Sequence, residues 1–277
     1  MKELQKRVAL VTGASGGIGA QIARALARER MDVAISGRRE DVLATLAGEI
    51  GSLGVRCETV AAELADRGAL AGLIDRAETA LGPIDVLVNN AGIESVGAYE
   101  SETEQELVEM VEVNLLAPML LTRLVLPGML ARGRGHVVFI SSVAGKLGPA
   151  YNGPYAASKA ALVALTQSLR AEHAGGPVGF SVVCPGFTAG EGMYQRMTEQ
   201  GHRSNRLIGE TSTERVAEAV VRAIREDVGE IVESGAPIRP MLAIQQIAPG
   251  LVEKVAPRFG VTKIFAGVAQ DRGRGRP

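Results

Sequence analysis

Short apolar runs along the chain alternate with longer stretches in which apolar residues recur every three or four positions. Short runs of this kind are typical of strands buried on both faces of a parallel sheet, and the longer periodicity is typical of amphipathic helices. The pattern predicts strands at residues 8–11, 33–36, 56–60, 86–89, 136–141, 179–184 and 230–232. It predicts helices that begin near Gly17, Glu40, Arg67, Thr103, Pro118, Pro154 and Thr213. This alternation indicates an α/β fold, a doubly wound parallel sheet of about seven strands with helices on both faces.

The chain is long enough for one α/β domain and a shorter extension. It has 277 residues, of which 46% are hydrophobic, and this supports one large core. We expect a single domain over residues 1–235, with a mixed, glycine-bearing linker at 185–211 acting as a lid. Residues 236–277 are expected to form a C-terminal extension, an apolar broken helix followed by a disordered basic tail at 271–277. The prolines that break this helix are Pro237, Pro240, Pro249 and Pro257.

Three interpretations of the extension are open. Its apolar residues suit a cover over a substrate cleft, a dimer surface or contact with a membrane surface. Membrane contact is the least favoured, because the segment is not strongly basic.

A glycine-rich segment directly follows the first predicted strand. It reads Thr12-Gly13-Ala14-Ser15-Gly16-Gly17-Ile18-Gly19, and helical spacing begins within it. Glycines allow a backbone to approach a pyrophosphate closely, and the first turn of a helix offers free N–H groups to an anion. Strand, glycine turn and helix in this order predict a dinucleotide site rather than an ordinary βα turn.

Tyr155 and Lys159 are separated by one helical turn. Residues at positions i and i+4 lie on the same face of a helix, so the phenol and the ammonium group point in the same direction. A nearby positive charge stabilises a phenolate, and we expect Lys159 to lower the pKa of Tyr155 towards neutral pH. Such a tyrosine can serve as a proton donor and acceptor.

These two features belong to a longer ordered set. Asn89-Asn90-Ala91-Gly92 ends the fourth predicted strand, Asn114, Ser142, Tyr155 and Lys159 follow, and Pro185-Gly186 ends the sixth strand. Together with the glycine turn, this set resembles the short-chain dehydrogenase/reductase family over residues 8–232. The resemblance implies a Rossmann-type fold and an oxidoreductase that interconverts a ketone or aldehyde with an alcohol by hydride transfer.

The resemblance also implies the roles of individual residues. Tyr155 would be the general acid in reduction and the base in oxidation, while Lys159 would assist it and hold the nicotinamide ribose. Ser142 would hydrogen-bond the substrate oxygen, and Asn114 would hold a water that links Lys159 to solvent. The residues implied to bind the cofactor are Thr12, Gly13, Ser15, Gly17, Ile18, Gly19, Arg38, Glu63, Leu64, Asn90, Ala91, Gly92, Tyr155, Lys159, Pro185 and Gly186.

The end of the second predicted strand indicates which nicotinamide cofactor is used. NAD sites usually place an acid there to bind the adenine ribose. Here Gly37 occupies that position, and Arg38 and Arg39 follow it. A guanidinium group can bind a 2′-phosphate through charge-assisted hydrogen bonds, whereas an acid would repel it. We therefore expect NADP(H) to be preferred, with NAD(H) possible.

The remaining composition excludes several classes of protein. The net charge of −1 argues against a nucleic-acid partner. The histidines and the two cysteines are too scattered for a metal site, so no metal is expected. The polar start of the chain predicts no signal peptide, and we expect no apolar run near ~18 residues that could span a membrane. A cytoplasmic enzyme is the resulting expectation.

The substrate itself is not encoded in a recognisable motif. A small carbonyl or alcohol compound, mainly apolar, is expected, and so is a homo-oligomer, either a dimer or a tetramer. A non-catalytic NADP(H)-binding regulatory or sensor protein is the main alternative, and epimerisation or enoyl reduction on the same scaffold is another. The residues predicted to line the substrate pocket are Ile93, Glu94, Ser95, Val96, Leu147, Tyr151, Phe187 and Met193.

Overall fold

A seven-stranded parallel sheet lies at the centre of the molecule. The computed structural model describes residues 1, 3–190, 192–204, 208–255, 260–273 and 275 of the chain. The strands are β1 (Val8–Thr12), β2 (Asp32–Gly37), β3 (Cys57–Ala61), β4 (Val86–Asn89), β5 (Gly135–Ile140), β6 (Val178–Pro185), β7 (Thr188–Ala189), β8 (Thr211–Ser212) and β9 (Glu230–Glu233). The main sheet has the order β3-β2-β1-β4-β5-β6-β9, and β7 pairs separately with β8.

The order of the strands reverses at β1. Val11 of β1 pairs with Ile35 of β2 on one side and with Val88 of β4 on the other. In an open parallel sheet, such a reversal leaves a crevice beyond the carboxyl ends of the two strands, and ligands bind there. The site is therefore expected beyond Thr12 and Asn89, the last residues of β1 and β4.

Helices cover both faces of the sheet, which confirms the predicted doubly wound fold. Ile22 and Val220 are fully buried on the first face, and Leu73 and Leu121 on the second. The helices are α1 (Gly17–Arg28), α2 (Glu40–Gly51), α3 (Ala69–Leu81), α4 (Glu104–Val111), α5 (Ala117–Ala131), α6 (Ala144–Leu147), α7 (Gly153–Glu172), α8 (Met193–Glu199), α9 (Thr213–Glu226), α10 (Arg239–Ile247), α11 (Pro249–Val255) and α12 (Val261–Gly273).

Helices α4 and α5 are joined into one continuous helix by a π-helical segment, Glu112–Leu116. The helix begins where the sequence predicted, because the Thr103 hydroxyl accepts from the Glu106 N–H and the Glu106 carboxylate accepts from the Thr103 N–H. An 18-residue window of this helix has a mean hydropathy of 1.6, long and apolar enough to cross a membrane. The expectation that no such run exists is therefore wrong. Burial of α5 residues such as Leu121 and Val125 against the sheet accounts for the apolar composition.

The C-terminal extension folds into α10, α11 and α12 and packs beside the predicted lid. Phe265 of α12 is buried in a small apolar cluster with Val96, and with Tyr194 and Met197 of α8. The ring of Phe265 lies 6.1 Å from the ring of Phe187, measured between centroids. These contacts join the last helix of the chain to the linker at 185–211.

The prediction of a disordered tail is wrong for its first residues. Helix α12 continues through Asp271 and Arg272 to Gly273. The Arg272 guanidinium lies 2.8 Å from the Glu102 carboxylate and 2.6 Å from the Glu106 carboxylate, and these ion pairs hold the last helical turn in place. Pro257, Arg274, Arg276 and Pro277 lie outside the described residues.

Close packing at the start of α1 leads to a prediction about stability. A Cβ atom at Gly19 would overlap the Gly13 carbonyl oxygen and the Asn90 amide nitrogen. We expect Gly19→Ala to lower the free energy of unfolding by ~1–3 kcal/mol, since backbone in this turn must move to relieve the overlap. Urea denaturation measures the change.

The matched control is Gly72→Ala, in the middle of α3. A Cβ there meets no atom within 4 Å, so alanine should raise the free energy of unfolding by ~0.5–1 kcal/mol through its better helix propensity. Equal effects of the two substitutions would show that the turn at Gly19 is not tightly packed.

Candidate active site

A large cavity opens beyond the carboxyl edge of the sheet, where the strand order reverses. Its volume is about 1440 Å³, larger than the ~300–1,000 Å³ of a drug-sized ligand site. Residues after β1, β2, β4, β5 and β6 form its floor, and residues of α8, α10, α11 and α12 form the opposite wall. A space of this size can hold a dinucleotide and a second molecule together.

The backbone of the glycine turn packs directly against the residues that follow β4. Gly13 has a φ of 66°, in the left-handed region, and a Cβ there would lie 2.7 Å from the Cα of Ala91. The Asn90 side-chain amide donates to the carbonyl oxygens of Thr12 at 2.9 Å and Gly13 at 3.2 Å. The turn is thereby held open towards the cavity at the N-terminus of α1, where unpaired N–H groups attract an anion.

The Thr12 side chain lies behind the cavity wall. Its side chain is buried and is not part of the cavity wall. The hydroxyl donates to the Val88 carbonyl and accepts from the N–H groups of Asn90 and Ala91. Thr12 therefore fixes the loop after β4 against β1, and its contact with the cofactor stays a prediction.

The two arginines after β2 lie at the cavity wall beside the glycine turn. Arg39 donates to the Ser15 carbonyl oxygen. The Arg38 guanidinium is mostly exposed and lies 3.8 Å from the Glu63 carboxylate, a loose contact that leaves its donors accessible. Gly37 keeps this corner open, since a Cβ there would lie 3.0 Å from the Ser15 hydroxyl.

The structure brings most of the predicted cofactor residues to one wall. Those that line the cavity are Gly13, Ser15, Gly17, Ile18, Gly19, Arg38, Arg39, Glu63, Leu64, Asn90, Ala91, Gly92, Tyr155, Lys159, Pro185 and Gly186. They come from the ends of five strands and from helix α7, in agreement with a ligand that extends along the edge of the sheet.

Ser142, Tyr155 and Lys159 meet at the centre of the cavity wall. The Lys159 ammonium donates to the Ile140 carbonyl oxygen at 3.0 Å and lies 5.6 Å from the centroid of the Tyr155 ring. The Ser141 hydroxyl donates to the Lys159 carbonyl at 2.7 Å and so attaches the end of β5 to α7. This contact fixes the position of Ser142 relative to the helix.

Burial alters the acidity of this group. Desolvation lowers the pKa of Lys159 to about 8, and the Glu94 carboxylate opposes this change. Burial also raises the pKa of Tyr155 well above its usual value; Glu94 adds to the rise, and a hydrogen bond with Ser142 opposes it. Loss of water and the Glu94 carboxyl group thus act against the predicted lowering of the Tyr155 pKa by Lys159. Tyr155 is protonated at neutral pH.

Asn114 lies behind the cavity wall rather than in it. Its fully buried amide accepts from the Ile93 N–H at 2.8 Å and donates to the Ile93 carbonyl at 2.8 Å and to the Ser158 hydroxyl at 3.1 Å. The π-helical segment presents this amide to the loop after β4 and to α7. Asn114 thereby fixes Gly92, where a Cβ would lie 3.1 Å from the Lys159 ammonium.

A partly buried acid is the feature that sequence reasoning undervalued. Glu94 was expected as a pocket residue, but not as a charge beside Tyr155 and Lys159. It lines the cavity, and burial raises its pKa to about 7, although a hydrogen bond from Asn152 and the charges of Arg196 and Lys159 oppose the rise. The signal that could have revealed Glu94 is its place in the sequence. It is a carboxyl group two residues after Gly92, among mostly apolar pocket positions.

Many apolar residues line the cavity, beside polar ones such as Arg196 and Gln245. The predicted pocket residues Ile93, Leu147, Phe187 and Met193 line it, whereas Ser95, Val96 and Tyr151 do not. A cover over the substrate cleft was one of three interpretations of the C-terminal extension, but sequence reasoning did not name the residues of the extension and of α8 that line the cavity. The apolar residues that complete the wall are Met197, Ile238, Met241, Val252, Val261 and Phe265.

Comparison with known proteins gives the family. The short chain dehydrogenase family model matches residues 7–201. The ketoacyl reductase HetN of Nostoc sp. is 38% identical over 277 residues, covering 98% of this chain and 96% of HetN. A putative ketoacyl reductase of Streptomyces coelicolor is 38% identical over 189 residues, covering 68% of this chain and 72% of the relative.

Solved structures agree with this assignment. A 3-oxoacyl (acyl-carrier-protein) reductase of Agrobacterium tumefaciens with NADP bound superposes with a TM-score of 0.77 at 30% identity, covering 84% of this chain and 95% of that one. A short-chain dehydrogenase/reductase of Burkholderia phymatum in complex with NAD gives a TM-score of 0.79 at 27% identity, covering 91% and 96% of the two chains. The chain belongs to the short-chain dehydrogenase family and is an oxidoreductase, as the sequence predicted.

The contacts of α12 lead to a prediction about the cavity wall. The Arg272 guanidinium joins α12 to Glu102, Glu106 and the Ser95 hydroxyl, next to Glu94. We expect Arg272→Ala to loosen α12, because the buried Glu102 carboxylate loses its cationic partner. Amide hydrogen exchange in residues 261–273 should become ~10-fold faster or more.

Arg222→Ala on α9, an exposed arginine far from this contact, is the control and should leave exchange in α12 unchanged. Unaltered exchange in the Arg272 variant would contradict the role of this ion pair.

Proposed function

We propose that this enzyme reduces a ketone to an alcohol with NADPH, and that Tyr155 is the proton donor. The observation that carries the proposal is the convergence of Tyr155, Lys159 and Ser142 at one point of a cavity whose floor is the bare glycine turn. The protein's own groups then provide a proton, a nearby cation and a hydroxyl for the substrate oxygen. Reduction of a carbonyl needs these three, since negative charge develops on oxygen.

The glycine turn fits the pyrophosphate of a dinucleotide. Gly13 and Gly19 let the turn pack directly on Asn90 and Ala91, because a Cβ at either position would overlap neighbouring atoms. The unpaired N–H groups of the first turn of α1 would bind the phosphates, and Asn90, Ala91 and Gly92 would border the ribose. Bound at this wall, NADPH would supply the hydride from its nicotinamide ring.

Arg38 and Arg39 support NADP(H) over NAD(H). Both follow Gly37, the position where an acid would otherwise bind the adenine ribose. The loose contact with Glu63 leaves the N–H donors of Arg38 accessible. A 2′-phosphate would replace that contact with charge-assisted hydrogen bonds. The NADP-bound relative from Agrobacterium supports this preference, and the NAD-bound relative from Burkholderia keeps NAD(H) possible.

The acidity of the site is compatible with proton donation by Tyr155. The raised pKa keeps Tyr155 protonated at neutral pH, which is the form that donates to a developing alkoxide. Lys159 has a pKa of about 8 and is mainly cationic below that pH. Its charge would stabilise the phenolate that remains on Tyr155 after proton transfer. Ser142 holds the oxygen during the transfer.

We propose 3-oxoacyl compounds as the substrate class. Apolar residues of the cavity wall, such as Phe187, Met241 and Phe265, can hold a hydrocarbon chain while its carbonyl lies at Tyr155. The names of the relatives from Nostoc, Streptomyces and Agrobacterium support a 3-oxoacyl or ketoacyl substrate.

The proposal also includes a catalytic domain at 1–235 with residues 236–277 as the cover of the cavity. We further propose that the enzyme acts in the cytoplasm as a homo-oligomer. The exposed apolar side chains of Val108, Val111 and Met119 on the continuous helix are available for contact between subunits.

Removal of the Tyr155 hydroxyl tests the assigned proton donor. Tyr155→Phe keeps the ring and loses the proton, so kcat for NADPH-dependent reduction of a 3-oxoacyl thioester should fall by ~100-fold or more while NADPH still binds. Tyr151→Phe, which removes a hydroxyl from a partly exposed tyrosine outside the cavity wall, is the control. A Tyr155→Phe enzyme with more than about a tenth of the wild-type kcat would rule out the assigned role.

A second substitution tests the cofactor preference. Arg38→Asp combined with Arg39→Ala should shift the ratio of kcat/KM for NADPH to that for NADH by ~10–100-fold towards NADH. The reason is that the variant loses the guanidinium groups and gains a carboxylate that repels the 2′-phosphate. Arg28→Asp, at the far end of α1, serves as a control for net charge. A wild type that prefers NADH, or a ratio that does not move, would contradict the NADP(H) assignment.

A further inference from the structure

The Glu94 carboxyl group lies at the proposed reaction centre without an evident role in proton or hydride transfer. It lines the same cavity as Tyr155 and Lys159 and is close enough to influence the pKa of both. Burying a carboxyl group is costly unless it is hydrogen-bonded, so its position here needs an explanation.

Asn152 fixes one side of this carboxyl group. Its side-chain amide is fully buried and donates to Glu94 Oε1 at 2.9 Å and to the Ser95 carbonyl at 3.3 Å. Asn152 directly precedes α7, the helix that carries Tyr155. The residue before it, Tyr151, has a φ of 63°, and its carbonyl accepts from the Gly97 N–H. A non-glycine residue in this conformation costs free energy, and such strain is typical of segments that position a functional group.

The second oxygen of Glu94 is left for a ligand. Among the described residues, hydrogen bonds reach Glu94 Oε1 but not Oε2. Because the residue keeps intermediate exposure while it lines the cavity, this oxygen is available to a molecule bound there. One carboxyl oxygen of Glu94 is thus hydrogen-bonded within the protein, and the other is open to the cavity. This arrangement is expected of a group that orients a ligand.

Charged and titratable groups face Glu94 from several elements. Lys159 and Tyr155 lie on α7, and Arg196 lies on α8. Behind the loop, Arg272 of α12 pairs with Glu102 and contacts Ser95. Burial outweighs the attraction of Arg196 and Lys159, so the pKa of Glu94 is raised to about 7. Below this pH the group is a neutral acid with an O–H donor, and above it the group is an anion without one.

We propose that the Glu94 carboxyl group hydrogen-bonds a second carbonyl oxygen of the substrate and thereby selects 3-oxoacyl esters and thioesters over plain ketones. This rests on the proposed reduction of a carbonyl at Tyr155. A 3-oxoacyl ester has an acyl oxygen two carbons from the reacting carbonyl, and that oxygen only accepts hydrogen bonds. The donor would bind it, whereas the ionised carboxylate would repel it.

The test compares two substrates with NADPH. One is a 3-oxohexanoyl ester, and the other is a six-carbon ketone without the ester group. Because both substrates share the steps at Tyr155 and Lys159, the ratio of their kcat/KM values cancels the titration of those residues. For the wild type we expect a ratio that favours the ester ~10-fold or more at pH 6. This ratio should fall as the pH rises through about 7, where Glu94 ionises.

Two substitutions distinguish the hydrogen-bond donor of Glu94 from its negative charge. Glu94→Gln retains an N–H donor and cannot ionise, so it should keep the preference for the ester and lose its pH dependence. Glu94→Ala should lose the preference at every pH. Glu218→Gln, which neutralises an exposed carboxylate on α9 outside the cavity wall, should leave both the ratio and its pH dependence as in the wild type. Thermal unfolding of each variant checks that it is folded.

Specific outcomes would overturn the inference. Loss of the ester preference in the Gln variant would mean that the carboxylate form is the one required. A preference that survives in the Ala variant would place the discrimination elsewhere. In either case, continued reduction of the plain ketone with NADPH would leave the proposed function standing. If the wild type reduces neither substrate, the proposed function and this inference both fail.

Discussion

The burial of the Lys159 ammonium is the constraint on which the site depends. A charged group removed from water must be compensated by its surroundings. Here the Ile140 carbonyl accepts one of its protons, and the Glu94 carboxyl group adds an opposing charge when it is ionised. Gly92 makes room for the ammonium, because a side chain there would touch it. The loop after β4, the end of β5 and helix α7 therefore have to be fixed together.

The fold meets this constraint with buried amides. Asn114 connects α7, through Ser158, to the backbone of Ile93, and the π-helical segment brings its side chain to that position. Asn90 connects the same loop to the glycine turn. The glycine turn and the Tyr155–Lys159 pair are thereby held by one set of hydrogen bonds, so that displacement of the loop would disturb both. Asn152 extends this set to Glu94, the residue proposed to bind the substrate.

Much of this arrangement could be predicted from local patterns. The seven strands, the start of α1 and the capped start of α4 follow from apolar periodicity, glycine positions and a capping box, all of which are encoded within a few neighbouring residues. Most of the residues expected at the cofactor wall line it, because parallel strands all end at the same edge. The family and its fold are therefore accessible from the sequence.

The remainder depends on long-range packing that local patterns do not contain. The π-helical segment has the composition of an ordinary helix, and nothing near Thr12 in the sequence shows that its hydroxyl pairs with the loop after β4. The spacing of Tyr155 and Lys159 places them on one face, but it does not reveal how completely they are buried, and burial decides their acidity. The order in α12 comes from ion pairs between Arg272 and residues about 170 positions earlier in the chain.

The central claim is that hydride passes from NADPH to a carbonyl carbon at Tyr155. The most direct measurement uses NADPH deuterated at either position of C4 of the nicotinamide ring, with a 3-oxoacyl thioester as substrate and mass spectrometry of the product. The account predicts that one of the two labelled cofactors places a single deuterium on C3, the carbon that bears the new hydroxyl group. Deuterium on any other carbon, or oxidation of NADPH without transfer of label from either cofactor, would contradict it.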